Sequence, residues 1–93
     1  MLSKIPVDFA KIKSSDIDKE ILRVGIIAEL DAINLYEQLA ALAKDKIIKT
    51  IFLDIAKEEK THVGEFQTLL LKIDKEQAQE LEEGRKEVEE LSS

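Results

Sequence analysis

The 93-residue chain contains no cysteine, one proline, one histidine and three glycines. Without cysteine, neither disulfides nor thiolate metal sites can form. Little proline and glycine leaves few places to turn, so long helices are expected. No run of about 18 apolar residues exists, which argues against a membrane-spanning helix. The opening "MLSKIPVDFAKIKSS" lacks the apolar run and small-residue cleavage site of a secretory signal, so a cytoplasmic protein is expected. Basic residues are in deficit, with 14 Lys and Arg against 20 Asp and Glu and a net charge of −6. That argues against a nucleic-acid groove, which needs a basic face, and is compatible with attracting cations. A composition of 44% hydrophobic residues is not that of a disordered tail. One domain of this length buries a modest fraction of its surface and often relies on a partner or a metal.

Residues 1–14, with Pro6, read as an irregular lead-in to an all-α chain. The segment "SSDIDKE" opens the first helix, with Ser15 as the expected cap and acids in the first turn favouring the dipole. The first helix is expected over 16–44, the second over 46–73, and a short acidic third over 75–91. Asp74 is placed to cap the third helix and Gly84 to weaken its middle. Its glutamates (Glu76, Glu80, Glu82, Glu83, Glu87, Glu89 and Glu90) read as a solvated face.

No glycine or proline marks a break near Asp45, but the apolar register does. One stripe runs Leu22, Gly25, Glu29, Ala32, Tyr36, Leu39, Ala43; a second runs Ile48, Phe52, Ile55, Glu59, His62, Phe66, Leu69, Ile73. The phase slips between 43 and 48, so the spacing predicts a tight turn there and an antiparallel helical hairpin. Phe52 and Phe66 read as core.

Each stripe is apolar except at its centre, where the first holds Glu29 and the second holds Glu59 and His62. Three residues apart, Glu59 and His62 share a helix face. A carboxylate on a buried stripe is costly unless it is paired or binds a metal. Gly25 and Ala32, flanking Glu29, are expected to leave room for coordinating groups. A di-iron carboxylate centre in a four-helix bundle uses one Glu from each of two helices and Glu-x-x-His from each of the other two. This chain carries half of that set on half of that bundle. A two-fold dimer supplies the other half around two metals and covers the exposed stripes of the hairpin. Carboxylate with imidazole suits iron, manganese or zinc more than calcium or magnesium. The bland alternative is a helical dimerisation module in which Glu59 and His62 are a hydrogen-bonded pair. Tyr36 reads equally as a neighbour of the centre or as core. Asp31, Glu58 and Glu65 flank the stripes as a solvated face or an outer cation site.

Over about residues 20–73 the sequence resembles the encapsulated ferritin family, through "IIAELDAINLYEQLA" and "DIAKEEKTHVGEFQTLLL". It is most similar to the ferritin-like domain that some archaea fuse to the encapsulin shell protein. The family's Glu and Glu-x-x-His fall on Glu29, Glu59 and His62, and its tyrosine near the metals on Tyr36. The resemblance implies a ferritin-like four-helix bundle made by dimerisation and a ferroxidase with two Fe per dimer. It further implies a decameric ring of dimers inside an encapsulin nanocompartment that stores the iron. It also implies an outer metal site at Asp31, although Ala28 and Leu35 replace an acid and a tryptophan found in some relatives. No shell-targeting peptide is recognisable after the third helix, which reads as part of a longer fusion or as another route to the shell. A rubrerythrin-like, peroxide-reducing protein is the other di-metal reading, weakened by the lack of rubredoxin-type cysteines.

Overall fold

A computed structural model describes residues 8–93. Pro6 and the first part of the expected lead-in lie outside the described residues. Two 3-10 turns, Phe9–Lys11 and Ser14–Asp16, precede three helices: α1 (Ile17–Leu42), α2 (Lys46–Ile73) and α3 (Lys75–Ser92). No strand occurs among the described residues.

The entry to α1 corrects the expected cap. Ser15 lies inside the second 3-10 turn, and α1 starts behind Asp16, whose side chain makes no capping bond. The Ile17 N–H donates to the Ser14 carbonyl instead. The tighter turn runs directly into the helix, so backbone carbonyls take amides that a cap would otherwise satisfy.

The turn between α1 and α2 needs neither glycine nor proline. Ala43 leaves α1 in extended backbone (φ −66°, ψ 136°), and Asp45 enters α2 the same way (φ −76°, ψ 131°). Any residue adopts those angles. The Asp45 carboxylate then accepts from the Ile47 and Ile48 amides at 2.8 and 3.0 Å, an N-cap that fixes where α2 begins.

The hairpin is antiparallel, as its cross-helix pairs show: Gly25 meets Phe66, Glu29 faces His62, and Tyr36 meets Phe52. Its tightest row differs from the expected stripes. The buried apolar residues are Ile33 and Ala40 on α1 and Ala56 and Leu70 on α2, none of them on either stripe. Four residues advance a helix by about 40°, so this row lies one step around from Glu29–Tyr36 and Phe52–Glu59–Phe66. Ala40 and Ala56, each 1% exposed, let the two backbones approach closely. Beyond the other edge of the stripes Ile21, Leu35 and Leu42 of α1 stay exposed, and so do the stripe members Leu39 of α1 and Ile48, Leu69 and Ile73 of α2. The helices are antiparallel and both rows are offset in the same sense, so the two open rows fall on one side of the hairpin. The expected stripes thus border the packed row on one edge and merge into exposed apolar residues on the other.

α3 leaves the hairpin at Asp74, the one buried charged residue among the described residues. Its carboxylate accepts from the Gln77 amide at 3.0 Å, capping α3, and from the Arg23 guanidinium of α1 at 2.9 Å. Arg23 also bonds Glu20 at 3.2 Å, so a single side chain ties the start of α1 to the start of α3. Beyond that junction α3 is exposed and runs unbroken through Gly84. Arg85, held by Glu82 and Glu89, and the Lys86–Glu83 pair support it at helical spacing.

Two outcomes are expected. Replacing Asp45 by Ala removes the α2 cap at a cost of about 1 kcal/mol, which lowers the melting temperature by roughly 4–8 °C in a thermal scan. The Gln77 amide, aided by the Lys19 and Arg23 charges, holds the Asp74 carboxyl below its ordinary value of 3.8. Its stabilising effect is therefore complete above that value and is lost as pH falls below it through the depressed one. Hydrogen exchange at the Gln77 amide should accelerate in that window relative to the middle of α2. In an Asp74→Asn variant that differential should be absent.

Candidate metal centre

Near the middle of the hairpin, α1 presents Glu29 and α2 presents Glu59 and His62 on facing turns. One ligand atom from each of the three lies within 4.8 Å of the others. His62 directs Nδ1 between the carboxylates, 3.6 Å from Glu29 Oε2 and 3.4 Å from Glu59 Oε2. Both separations exceed good hydrogen-bonding distance. The Glu29 Oε2 atom is buried and accepts no hydrogen bond. Both carboxylate side chains are 18% exposed and the imidazole 43% exposed. The acids are therefore set into the hairpin while His62 opens onto the exposed apolar side.

This geometry fits a metal better than a structural ion pair. A self-contained pair would close the imidazole onto a carboxylate at about 2.8 Å and leave no buried oxygen unsatisfied. Here the donors converge without bonding one another. A first-row ion held at about 2.1 Å by each donor needs those donors within roughly 4 Å of each other. Shifts of under an ångström in long side chains would close 4.8 Å to that span. Three donors leave further coordination positions open, and the part-exposed imidazole puts them within reach of the surface.

The remaining candidates are arranged differently. Tyr36 lies two turns along α1 from Glu29 with its ring tilted 52° against Phe52, centroids 5.8 Å apart. Asp31 is exposed and is not one of the converging group. Glu58 and Glu65 are likewise exposed on α2. Gly25 does not leave room for coordinating groups, because the Phe66 ring fills the space beside it. A Cβ on Gly25 would stand 3.1 Å from Phe66 Cδ2 and 3.2 Å from Cε2. The sequence signal for that contact was present in the shared stripe, where the smallest residue of α1 faces one of the bulkiest of α2.

The rubrerythrin family model matches residues 20–92. The chain belongs to the rubrerythrin family. Across 73 residues, 78% of its length, it is 60% identical to the ferritin-like-encapsulin shell fusion protein of Pyrococcus furiosus. It spans 21% of that relative's length, so it corresponds to one portion of the fusion. The fold is similar to the crystal structure of the encapsulated ferritin domain from Pyrococcus furiosus, with a TM-score of 0.83 and 49% identity. That similarity covers 98% of this chain and 93% of the other. The resemblance carried by the two motif stretches is therefore to the right family, and the ferritin-like helical fold is shared.

The orphaned Glu29 oxygen yields a prediction. In metal-free protein, Glu29→Gln should melt no lower than the parent and up to about 5 °C higher, because a carboxylate with a buried, unpartnered oxygen gives way to a neutral amide. The rise in melting temperature on adding Zn(II) should disappear in the same variant. A lower metal-free melting temperature would place Glu29 in a satisfied structural network instead.

Proposed function

We propose that the protein is a ferroxidase that oxidises Fe(II) to Fe(III) at a two-iron centre shared between two copies of the chain. The observation that carries this reading is the converging, mutually unbonded set of Glu29, Glu59 and His62 with a buried, unsatisfied carboxylate oxygen. One chain offers one Glu and one Glu-x-x-His, half of a di-iron carboxylate set, on two of four helices. The apolar side onto which His62 opens is the surface that a second copy would cover. Isologous pairing about a two-fold axis would bring Glu29, Glu59 and His62 of both chains together.

In this reading the residues act on Fe(II) as substrate. Glu29 and Glu59 bind it through anionic oxygens, which favour the more highly charged ferric product and so ease electron loss to oxygen. His62 adds a neutral nitrogen donor and fixes its orientation through Nδ1. Ile21, Leu39, Leu69 and their counterparts exclude water from the centre once the two copies close. Carboxylates shift readily between one- and two-oxygen binding, which allows ferric product to leave. Tyr36 is an auxiliary beside the centre in this reading, and Asp31, outside the converging group, would serve an outer metal site.

The fused shell of the Pyrococcus furiosus relative supports a second element of the proposal, that the oxidised iron is passed to an encapsulin compartment. Dimers gathered into a ring, decameric by resemblance, would deliver it there. The family match also supports a rubrerythrin-like use of the same centre with peroxide as oxidant. Comparing oxygen with peroxide in the rate assay separates the two.

Native mass spectrometry during an oxygen-free Fe(II) titration tests the shared centre. Even-numbered assemblies that take up two irons per pair of chains are expected; a monomer, or a dimer that ignores iron, would sink the proposal. Stopped-flow oxidation should slow at least about a hundredfold in Glu29→Ala, Glu59→Ala and His62→Ala, since even outer-shell losses at metal sites cost tenfold to a hundredfold. Wild-type rates in any one variant would remove that residue from the centre.

A further inference from the structure

Of the three glycines, all helical, Gly64 and Gly84 stand in open space. Gly25 alone meets a neighbour, the face of the Phe66 ring. Its backbone is ordinary helix, so glycine is not required there by conformation, and glycine weakens a helix interior relative to alanine. The position is explained by the ring. Gly25 lies one turn before Glu29 on α1, and Phe66 lies one turn after His62 on α2. Residues four apart share a helix face, so the glycine–ring contact sits immediately beside the donor set on both helices at once. On the other side of the donors the Tyr36–Phe52 pair spans the same two helices.

We infer that Gly25 and Phe66 are positioning residues for the metal centre: the ring seated on the bare glycine sets the separation of α1 and α2 at Glu29 and His62. This rests on the metal-binding reading above. A methyl group at position 25 would lie 3.1 Å from an aromatic carbon, tighter than ordinary contact, so the Phe66 ring must give way by a few tenths of an ångström. The displacement passes into α2 and carries His62 away from Glu29. Metal–donor distances tolerate only about 0.2 Å, so a shift of a few tenths of an ångström is felt by the ligand set while the hairpin, held by Ile33, Ala40, Ala56 and Leu70, stays folded. Phe66→Leu removes ring bulk from the same place, with the opposite sense of misfit. Together the two substitutions nearly conserve volume.

Co(II), whose visible absorption reports coordination geometry, is the probe. Titrated into the full chain, it should bind about tenfold or more weakly to Gly25→Ala, with an altered absorption band, while circular dichroism shows unchanged helix content. Phe66→Leu alone should also weaken binding. The double variant should regain affinity and band shape toward wild type, a non-additivity that independent structural damage would not produce. If Gly25→Ala does not fold, the comparison of Phe66→Leu with the double variant still decides, because only a positioning role makes the second substitution restorative. Wild-type affinity and spectrum in Gly25→Ala would overturn the inference alone. A wild-type protein that takes up no Co(II) would overturn the metal-binding reading, and the inference with it.

Discussion

A carboxylate set into an apolar face, with one oxygen left without a partner, is the constraint on which the rest of this structure turns. Glu29 cannot be relieved by its own hairpin. The nearest cation-capable group, His62, stops 3.6 Å short and is shared with Glu59. Leaving such an atom unsatisfied costs stability that a chain of this size cannot easily spare. In the proposed function a metal ion arriving at the site offsets that cost. In the same proposal the exposed edge of His62 and the apolar rows bordering it mark the side that a second copy covers.

The same constraint accounts for how the hairpin is packed. A two-helix unit can bury one row of each helix, and it does so with Ile33, Ala40, Ala56 and Leu70. Two of these are alanines, which draw the helices together rather than fill a large core. Many of the bulkier Ile and Leu residues stay exposed. That distribution leaves the isolated chain under-buried, as expected for so short a domain, and it makes Glu29, Glu59 and His62 part of an unfinished surface. The Arg23–Asp74 tie and the Asp74 cap then direct α3 outward, where it contributes little to the hairpin core.

Much of this was legible in the residues themselves. The phase slip between 43 and 48 located the turn without a glycine or proline, because a helix of fixed pitch cannot keep one apolar face across it. Polar residues at the centres of two apolar stripes located Glu29, Glu59 and His62, because burial of charge needs a reason. The rotation of each helix was less legible. When a stripe is wide enough to face two neighbours, periodicity gives its centre and not which edge is packed, so the buried row lay about 40° from the one the stripes suggested. Gly25 was misread for a related reason. Smallness at a position says that something comes close, and the partner turned out to be the Phe66 ring, not a coordinating group.

The sequence by itself determined the helical class, the hairpin, the residue types at the site and the acid-rich character of α3, since all follow from local propensity, spacing and charge. Only the tertiary structure decided which face of each helix is closed, that His62 is the donor nearest the open side, that the three donors converge without bonding each other, and that Phe66 seats on Gly25. These are distances between residues far apart along the chain. They are set by how two helices rotate and approach, and no periodicity within one helix encodes that.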